Sequence, residues 1–155
     1  MEHGKVELYH GSGQIVEFPE IRKTKYTKDF SWGFYCTKSY EQAYRWAGRK
    51  HGQGIVNVYS YVENEKLNIK KFENMCDEWL DFIAECRIGK VHEFDIVEGP
   101  MADDQIWNYV EDYVSGEISK EAFWALVKFR YPTHQIVFCT ETALKTIHYE
   151  GSEKV

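Results

Sequence analysis

The sequence predicts an α+β fold, and three observations favour it. Segments rich in Val, Ile and Tyr, such as Ile55 to Val62, are typical of β-strands. Other segments place apolar residues on one face of a helix, as Trp79, Phe82, Ile83 and Cys86 do. The two kinds of segment do not alternate regularly along the chain, which favours α+β over a repeated strand-helix-strand unit.

The first half of the chain is predicted to hold three strands and one helix. A loop from Gly11 to Lys28 contains the glycine and proline residues that separate the first two strands. Ser39 is the predicted N-cap of the helix, with Gln42 as its capping-box partner, and Gly52 is predicted to end it. The predicted strands are Val6 to His10, Gly33 to Thr37 and the central strand Ile55 to Val62.

The second half is predicted to contain short strands and amphipathic helices in no regular order. Asn74 is a predicted N-cap, Gly89 a predicted helix end, and Gly99-Pro100 a predicted strand end. The predicted strands are Leu67 to Lys71, Phe94 to Val97, Gln135 to Cys139 and an edge strand, Ile147 to Tyr149. The predicted helices are Asn74 to Gly89, Asp103 to Val114, Ser119 to Phe129 and Thr140 to Thr146.

Composition limits the classes of function. The 155 residues have the length of one domain, and we expect residues 1–155 to form a single domain. The 25 acidic and 19 basic residues leave a net charge of -6, which disfavours loose binding to nucleic-acid phosphates or anionic lipid, although a specific nucleic-acid target stays open. No apolar run approaches the length of a membrane span, so we expect no membrane partner.

The cysteines indicate a reducing compartment. They show no C-x-x-C spacing, and the first residues are polar and charged, unlike a signal peptide. We therefore expect a cytoplasmic protein with free, mostly buried thiols. Six histidines and four cysteines include no pair at ligand spacing, which predicts no metal site. The cysteines are Cys36, Cys76, Cys86 and Cys139.

Three strand-like segments each carry a group that their hydrophobic pattern does not require. In the first, His10 can donate or accept a hydrogen bond, and Gly11 allows a flat ligand to approach the backbone. In the second, Tyr35 offers a ring face and a hydroxyl. In the third, Gln135 brings an amide that needs a partner or a ligand. The segments are Leu8 to Ser12, Gly33 to Thr37 and His134 to Phe138.

Together these residues resemble the His-Tyr-Glu triad of the diphtheria-toxin and PARP-like ADP-ribosyltransferases, with Gln135 where the Glu usually stands. The stretch from Asp29 to Thr37, followed by Gln42-Ala43 and Trp46-Ala47, resembles a bacterial family of formerly unknown function in that superfamily. Later stretches are similar to the same family: Trp79 to Ile83, Asp95 to Asp104 and Gln135 to Thr140.

The resemblance implies a fold of split, mostly antiparallel sheets with flanking helices, and NAD⁺ as co-substrate. It implies that backbone groups of Gly11, beside Ser12, hold the nicotinamide carboxamide. It also implies that His10 bonds a ribose hydroxyl and that Tyr35 stacks on the nicotinamide ring. Gln135 can accept a hydrogen bond from the ribose 2′-hydroxyl but cannot supply negative charge to an oxocarbenium-like sugar.

A neighbouring carboxylate is a candidate to supply that charge. The candidates are Asp103, Asp104 and Glu141, of which the adjacent pair at a predicted helix start is the most suggestive. The alternative for this pair is ordinary helix capping in a favourable dipole.

The other candidate residues also have structural alternatives. His10 can be a buried histidine satisfied by a carbonyl, and Tyr35 can be one more core aromatic, although alternation places it opposite Phe34. Cys36 is interpreted as a small core residue rather than a nucleophile.

Basic residues cluster in the loop between the first two site strands. The resemblance implies that they contact the adenine-side phosphates or form a lid, and a solvated loop face is the alternative. The cluster is Arg22, Lys23, Lys25 and Lys28, while Arg45, Arg49 and Lys50 on the next helix are interpreted as solvent-facing.

Two functional hypotheses follow from the resemblance. The first is a mono-ADP-ribosyltransferase that modifies a macromolecule as a toxin or defence effector, with a possible antitoxin as partner. The second is a catalytically inactive module that binds NAD⁺ or ADP-ribose and acts through protein contacts.

Overall fold

The computed structural model describes residues 4–23, 29–48 and 53–155 of the chain. In these ranges, seven strands form two sheets and five helices flank them, which confirms the predicted α+β class. The strands are β1 (Val6–Ser12), β2 (Phe34–Cys36), β3 (Ile55–Tyr61), β4 (Ile69–Lys71), β5 (Ile96–Pro100), β6 (His134–Phe138) and β7 (Ile147–Lys154). The helices are α1 (Tyr40–Gly48), α2 (Asp77–Arg87), α3 (Asp104–Val114), α4 (Lys120–Leu126) and α5 (Glu141–Leu144).

The sheets are mostly antiparallel. One has the strand order β1-β3-β7, so β3 is central and β7 lies at an edge, as predicted. The other has the order β2-β6-β5-β4, in which only β4 and β5 pair in parallel. The edge strand β7 continues to Lys154, beyond the predicted end at Tyr149.

The two sheets meet where β1 approaches the end of β2. The Tyr9 backbone N–H donates to the Thr37 carbonyl at 2.8 Å, and the Thr37 N–H donates to the Tyr9 carbonyl at 2.9 Å. This pair of bonds fixes the ends of the two strands that carry His10 and Tyr35.

The two faces of β2 pack in different cores. Phe34 packs with Leu8, Tyr59 and Phe138 between the sheets, whereas Tyr35 packs with the residues that α2, α3 and α4 bury. Successive strand residues face opposite sides, so the predicted separation of Phe34 and Tyr35 is confirmed.

Helix capping was predictable at most starts. Ser39 and Ser119 accept hydrogen bonds from backbone N–H groups of α1 and α4, as predicted. Asp103 accepts one from α3, which is the capping alternative considered for that residue. The prediction of Asn74 as a cap is wrong: Cys76 is the N-cap of α2 and makes no side-chain cap bond. The acidic residues in the first turn of α2 instead stabilise the start of the helix through a favourable interaction with its dipole.

One predicted strand end is confirmed and one predicted helix end is wrong. β5 ends at Pro100, within the predicted Gly99-Pro100 strand end, and pairs with β6 up to that residue because strand alternation turns the Pro100 nitrogen away from β6. α4 ends at Leu126 rather than Phe129, since Phe129 is 79% exposed and adds no buried contact to hold another turn.

The remaining predicted boundaries of these elements lie close to the observed ones. Gly89 follows the last residues of α2 with a φ of 99°, which fits a helix-ending glycine. The predicted helix end at Gly52 lies outside the described residues. No helix in the described ranges is both long and apolar enough to cross a membrane.

Candidate functional site

A cavity of about 460 Å³ lies where the two sheets meet, and we call it the junction cavity. Five residues that line it are the predicted site residues His10, Gly11, Ser12, Tyr35 and Gln135. They come from β1, β2 and β6, so chain folding brings together three segments that are far apart in sequence. The other lining residues are Asp29, Trp46, Arg87, Met101 and Ala102.

His10 is half-buried and bridges the two sheets. Its Nδ1 lies 2.6 Å from the Tyr35 carbonyl oxygen, and its ring lies against Phe34 with centroids 4.3 Å apart. Because a carbonyl only accepts, Nδ1 carries the proton, and in the neutral ring Nε2 is then the acceptor. His10 therefore makes the carbonyl contact that is expected of a structural histidine, and it also lines the cavity.

The chain that follows His10 is anchored from β3. Asn57 is fully buried, and its Nδ2 donates to the carbonyls of His10 at 3.3 Å and Gln14 at 3.2 Å. Its Oδ1 accepts from the Val16 N–H at 2.9 Å. These bonds hold the end of β1, and the loop beyond it, against the sheet.

Gly11 is required by packing. A Cβ at this position would lie 2.2 Å from the Ala43 carbonyl oxygen and 2.7 Å from the Ala47 nitrogen. The absent side chain thus allows α1 to approach β1, whereas from the sequence Gly11 was expected to let a ligand approach the backbone.

Tyr35 is mostly buried, with 9% of its surface exposed. Its hydroxyl donates to the Ser31 carbonyl at 2.6 Å and accepts from the Phe30 N–H at 3.1 Å. Burial raises the pKa of Tyr35 well above its ordinary value, and nearby Asp29 raises it further. Tyr35 has little exposed surface in this arrangement, so its stacking on nicotinamide stays a prediction.

Gln135 is 4% exposed and contacts the buried carboxylate of a partly buried ion pair. Its Nε2 donates to Asp29 Oδ2 over 3.4 Å, a long hydrogen bond. The same oxygen accepts from the Ala102 backbone N–H at 2.9 Å, and Oδ1 of Asp29 accepts from Arg87 at 2.9 and 3.2 Å. A carboxylate therefore adjoins the Gln135 amide.

The charge of Asp29 is compensated inside the protein. Burial raises the pKa of the Asp29 carboxyl, and the Arg87 guanidinium together with the Ala102 and Gln135 hydrogen bonds opposes that rise. Arg87 is itself held, since its guanidinium carbon lies 3.6 Å from the centroid of the Trp107 ring. The pair is thus fixed in place beside the cavity.

The acids favoured by the sequence lie elsewhere. Asp103 and Asp104 line a neighbouring cavity of about 540 Å³ that shares Trp46, Met101 and Ala102 with the junction cavity. Asp103 caps α3 by accepting from the backbone N–H groups at positions 105 and 106, at 3.1 and 2.9 Å. Its capping alternative is therefore what the structure contains, and the exposed Glu141 does not line the junction cavity.

A second neighbouring cavity, of about 260 Å³, lies on the other side of His10 and Ser12. Arg22 lines it, and Lys23 lies beside it with Nζ 5.7 Å from the Trp32 ring centroid. The other members of the basic cluster, Lys25 and Lys28, lie outside the described residues, as do Arg49 and Lys50. Arg45 lines the cavity of Asp103 and pairs with Glu41 at 3.7 Å.

The cysteines do not form a reactive centre at the junction. Cys36 is fully buried, and burial raises the pKa of its thiol well above the ordinary value, which confirms a core residue. Burial also raises the pKa of Cys86 and Cys139 to about 12. Only Cys76 is exposed, and none of the four thiols forms a disulfide bond. Within the described ranges, no group of three or more His, Cys, Asp or Glu is arranged to hold a metal ion.

The Asp29–Arg87 pair was not predicted from the sequence. Asp29 stands directly before Phe30, which is fully buried, and this adjacency was the available signal. The partner is 58 positions away on α2, so no local pattern identifies it.

These features define a class of α+β proteins in which two mostly antiparallel sheets meet at a cavity lined by both polar and apolar residues. The chain matches, over residues 6–149, the family described as "Protein of unknown function (DUF3990)", and it belongs to that family. No curated protein and no solved structure gives a significant match.

Proposed function

We propose that this protein binds NAD⁺ in the junction cavity and transfers its ADP-ribose unit to a macromolecular acceptor. The observation that carries the proposal is the convergence of His10, Tyr35 and Gln135 on one cavity. The resemblance to ADP-ribosyltransferases matches these residue types one by one, apart from Gln in place of Glu.

The reaction breaks the bond between the ribose C1′ and the nicotinamide nitrogen. Nicotinamide leaves with the bonding electron pair, the sugar becomes oxocarbenium-like, and an acceptor lone pair forms the new bond to C1′ as the acceptor proton passes to solvent. Negative charge or acceptor dipoles near C1′ lower the barrier. The neutral Gln135 amide would provide such a dipole, and we propose that His10 binds a ribose hydroxyl, as the resemblance implies.

The size of the site supports an elongated ligand. The junction cavity, at about 460 Å³, falls in the range of about 300–1,000 Å³ that is common for small-molecule sites. The two neighbouring cavities share lining residues with it on either side. A dinucleotide can extend into one of them while the acceptor approaches through the other.

The biological role follows the resemblance. We propose a cytoplasmic toxin or defence effector whose activity is restrained by an antitoxin protein. Controlled expression in bacteria tests this role: growth arrest that His10→Ala relieves supports it, and unaffected growth at matched protein levels contradicts it.

Incubation with NAD⁺ labelled in the adenylate part tests the enzyme. Covalent label on a lysate macromolecule, or steady release of nicotinamide, supports the transferase. The matched variants are His10→Ala, which removes a cavity-lining ring, and His148→Ala on the exposed edge strand β7, which is the control. Loss of labelling in the first alone is expected, and equal labelling by both variants contradicts the site.

The second candidate is a catalytically inactive NAD⁺ or ADP-ribose binding module. The observation that favours it is the compensation of Asp29 by Arg87, which leaves no net charge from the pair toward the ribose. Isothermal titration distinguishes the candidates: NAD⁺ binding without label transfer or nicotinamide release supports the module, and absence of binding contradicts both.

A further inference from the structure

Both carboxylate oxygens of Asp29 are already engaged by the protein. Oδ1 accepts two hydrogen bonds from Arg87, while Oδ2 accepts from the Ala102 N–H and from Gln135 Nε2. The side chain is only 6% exposed. Asp29 is therefore poorly placed to bind a substrate directly, although it lies on the wall of the junction cavity.

The contact with Asp29 decides which end of the Gln135 amide faces the cavity. An amide has a donor end and an acceptor end of nearly equal shape, and neighbouring groups select between the two orientations. If the amide were reversed, Oε1 would face Oδ2 of Asp29, and two acceptors would oppose each other. With Nε2 directed at Asp29, the acceptor end is the one left for the cavity.

We propose that Asp29 is a positioning residue that fixes the Gln135 amide with Oε1 directed into the junction cavity. Arg87 and the Ala102 N–H hold Asp29, and Asp29 in turn holds Gln135. The catalytic consequence rests on the proposed function, because it concerns the sugar of NAD⁺, whereas the orientation itself does not.

The orientation affects turnover more than binding. A ribose hydroxyl both donates and accepts, so it can bond to either end of the amide. The developing positive charge on the sugar discriminates between the ends, since the oxygen carries partial negative charge and the NH₂ group partial positive charge. A reversed amide therefore lowers kcat and leaves KM nearly unchanged.

The Asp29→Asn variant is expected to reverse the Gln135 amide. Arg87 donates two hydrogen bonds to Oδ1, so the carbonyl oxygen of the substituted side chain stays with Arg87. Its NH₂ group then faces Gln135, and the Ala102 N–H loses its bond to Oδ2, which lowers stability. Gln135 then turns Oε1 toward position 29 and Nε2 toward the cavity. The matched control is Asp81→Asn on α2, which removes a half-exposed carboxylate that pairs with Lys120 at 3.0 Å.

Nuclear magnetic resonance of the wild-type protein tests the orientation without NAD⁺. The Gln135 Nε2 protons and the Ala102 amide proton both point at Oδ2 of Asp29, so a nuclear Overhauser effect between them is expected. Gln135→Glu assigns the side-chain signals by removing them. Absence of that effect overturns the proposal, and this measurement does not depend on whether Asp29→Asn folds.

Nicotinamide release tests the consequence. Asp29→Asn is expected to lower kcat by about tenfold or more and to change KM by less than about threefold, while Asp81→Asn changes neither. In a Gln135→Met background, Asp29→Asn should have no further effect, because a positioning residue acts through its partner. An equal loss in both backgrounds overturns the proposal. If wild type shows the Overhauser effect but never releases nicotinamide, the orientation stands and the proposed function fails.

Discussion

The Gln135→Glu variant restores the Glu of the resembled triad, and the structure predicts that this change alone does not raise the rate. The new carboxylate oxygen replaces Nε2, which lies 3.4 Å from Oδ2 of Asp29. Two unit charges at 3.4 Å repel by about 5 kcal/mol at an effective dielectric constant of about 20. A carboxylate in place of a neutral group gains about 3 kcal/mol in such a transition state. The free energy needed to keep both carboxylates ionised is therefore larger than the gain that the new charge gives in the transition state.

The protein can avoid the repulsion by keeping one of the two carboxyl groups protonated. Arg87 supplies only one positive charge and already pairs with Asp29 at 2.9 Å. The like charge raises the pKa of the pair, so the protonated form is favoured near neutral pH. Turnover by Gln135→Glu is then expected to stay at or below the wild-type value and to increase as pH rises and the second group ionises.

Exchanging the two groups removes the conflict. In Asp29→Asn/Gln135→Glu, one carboxylate and one amide remain in contact, and the total charge equals that of wild type. The carboxylate now lies on the cavity side, where it faces the developing oxocarbenium ion. Turnover by this double variant is expected to exceed that of Gln135→Glu by about a hundredfold, which corresponds to about 3 kcal/mol in the barrier.

Steady-state nicotinamide release across a range of pH measures these rates for wild type, both single variants and the double variant. Circular dichroism and melting temperature establish that each variant is folded. A Gln135→Glu rate well above wild type at neutral pH would refute the argument, because it would mean that Asp29 does not oppose a second charge.

Three further predictions concern the residues around the site. Tyr35→Phe removes a buried hydroxyl with two partners and is expected to lower the free energy of unfolding by about 1–3 kcal/mol in urea titrations, whereas the half-exposed Tyr44→Phe has little effect. Gly11→Ala forces a Cβ against α1 and is expected to cost about 3 kcal/mol or more, whereas Gly48→Ala, with no atom within 4 Å, is expected to stabilise α1; equal effects in thermal melts would contradict the packing argument. Iodoacetamide at pH 8 should label only Cys76 in the folded protein, as mass spectrometry can establish, and labelling of a second thiol before unfolding would contradict the burial described here.

Much of the fold could be predicted because its signals are local. The capping serines Ser39 and Ser119 mark helix starts through their own backbone contacts, and the apolar run of β3 identifies a central strand. The pairing of β5 as far as Pro100 could not be predicted in the same way. Whether a proline is tolerated in a strand ladder depends on which side of it has a neighbouring strand, and that is a property of the sheet.

The candidate site was predictable where a residue type is unusual for its segment. His10 and Gln135 are polar groups in apolar strands, and both line the junction cavity. The acid that accompanies them was not predictable by the same argument. Asp103 has the stronger local signal because it precedes a helix, yet that signal describes its capping bonds, whereas Asp29 is identified only by partners on β6 and α2.

The position of the site between two sheets gives His10 two roles that His10→Ala alone cannot separate. Its Nδ1 bond to the Tyr35 carbonyl joins β1 to β2 close to the paired Tyr9 and Thr37 backbones, so the ring helps to fix the distance between the sheets. The cavity lies at that same junction, and its shape depends on that distance. His10→Ala is therefore expected to lower stability, by about 1 kcal/mol for one lost hydrogen bond, as well as to remove a ligand contact. A fall in NAD⁺ affinity identifies His10 as a ligand only when it exceeds the change produced by Asn57→Ser, which loosens the same strand end but removes no cavity-lining group.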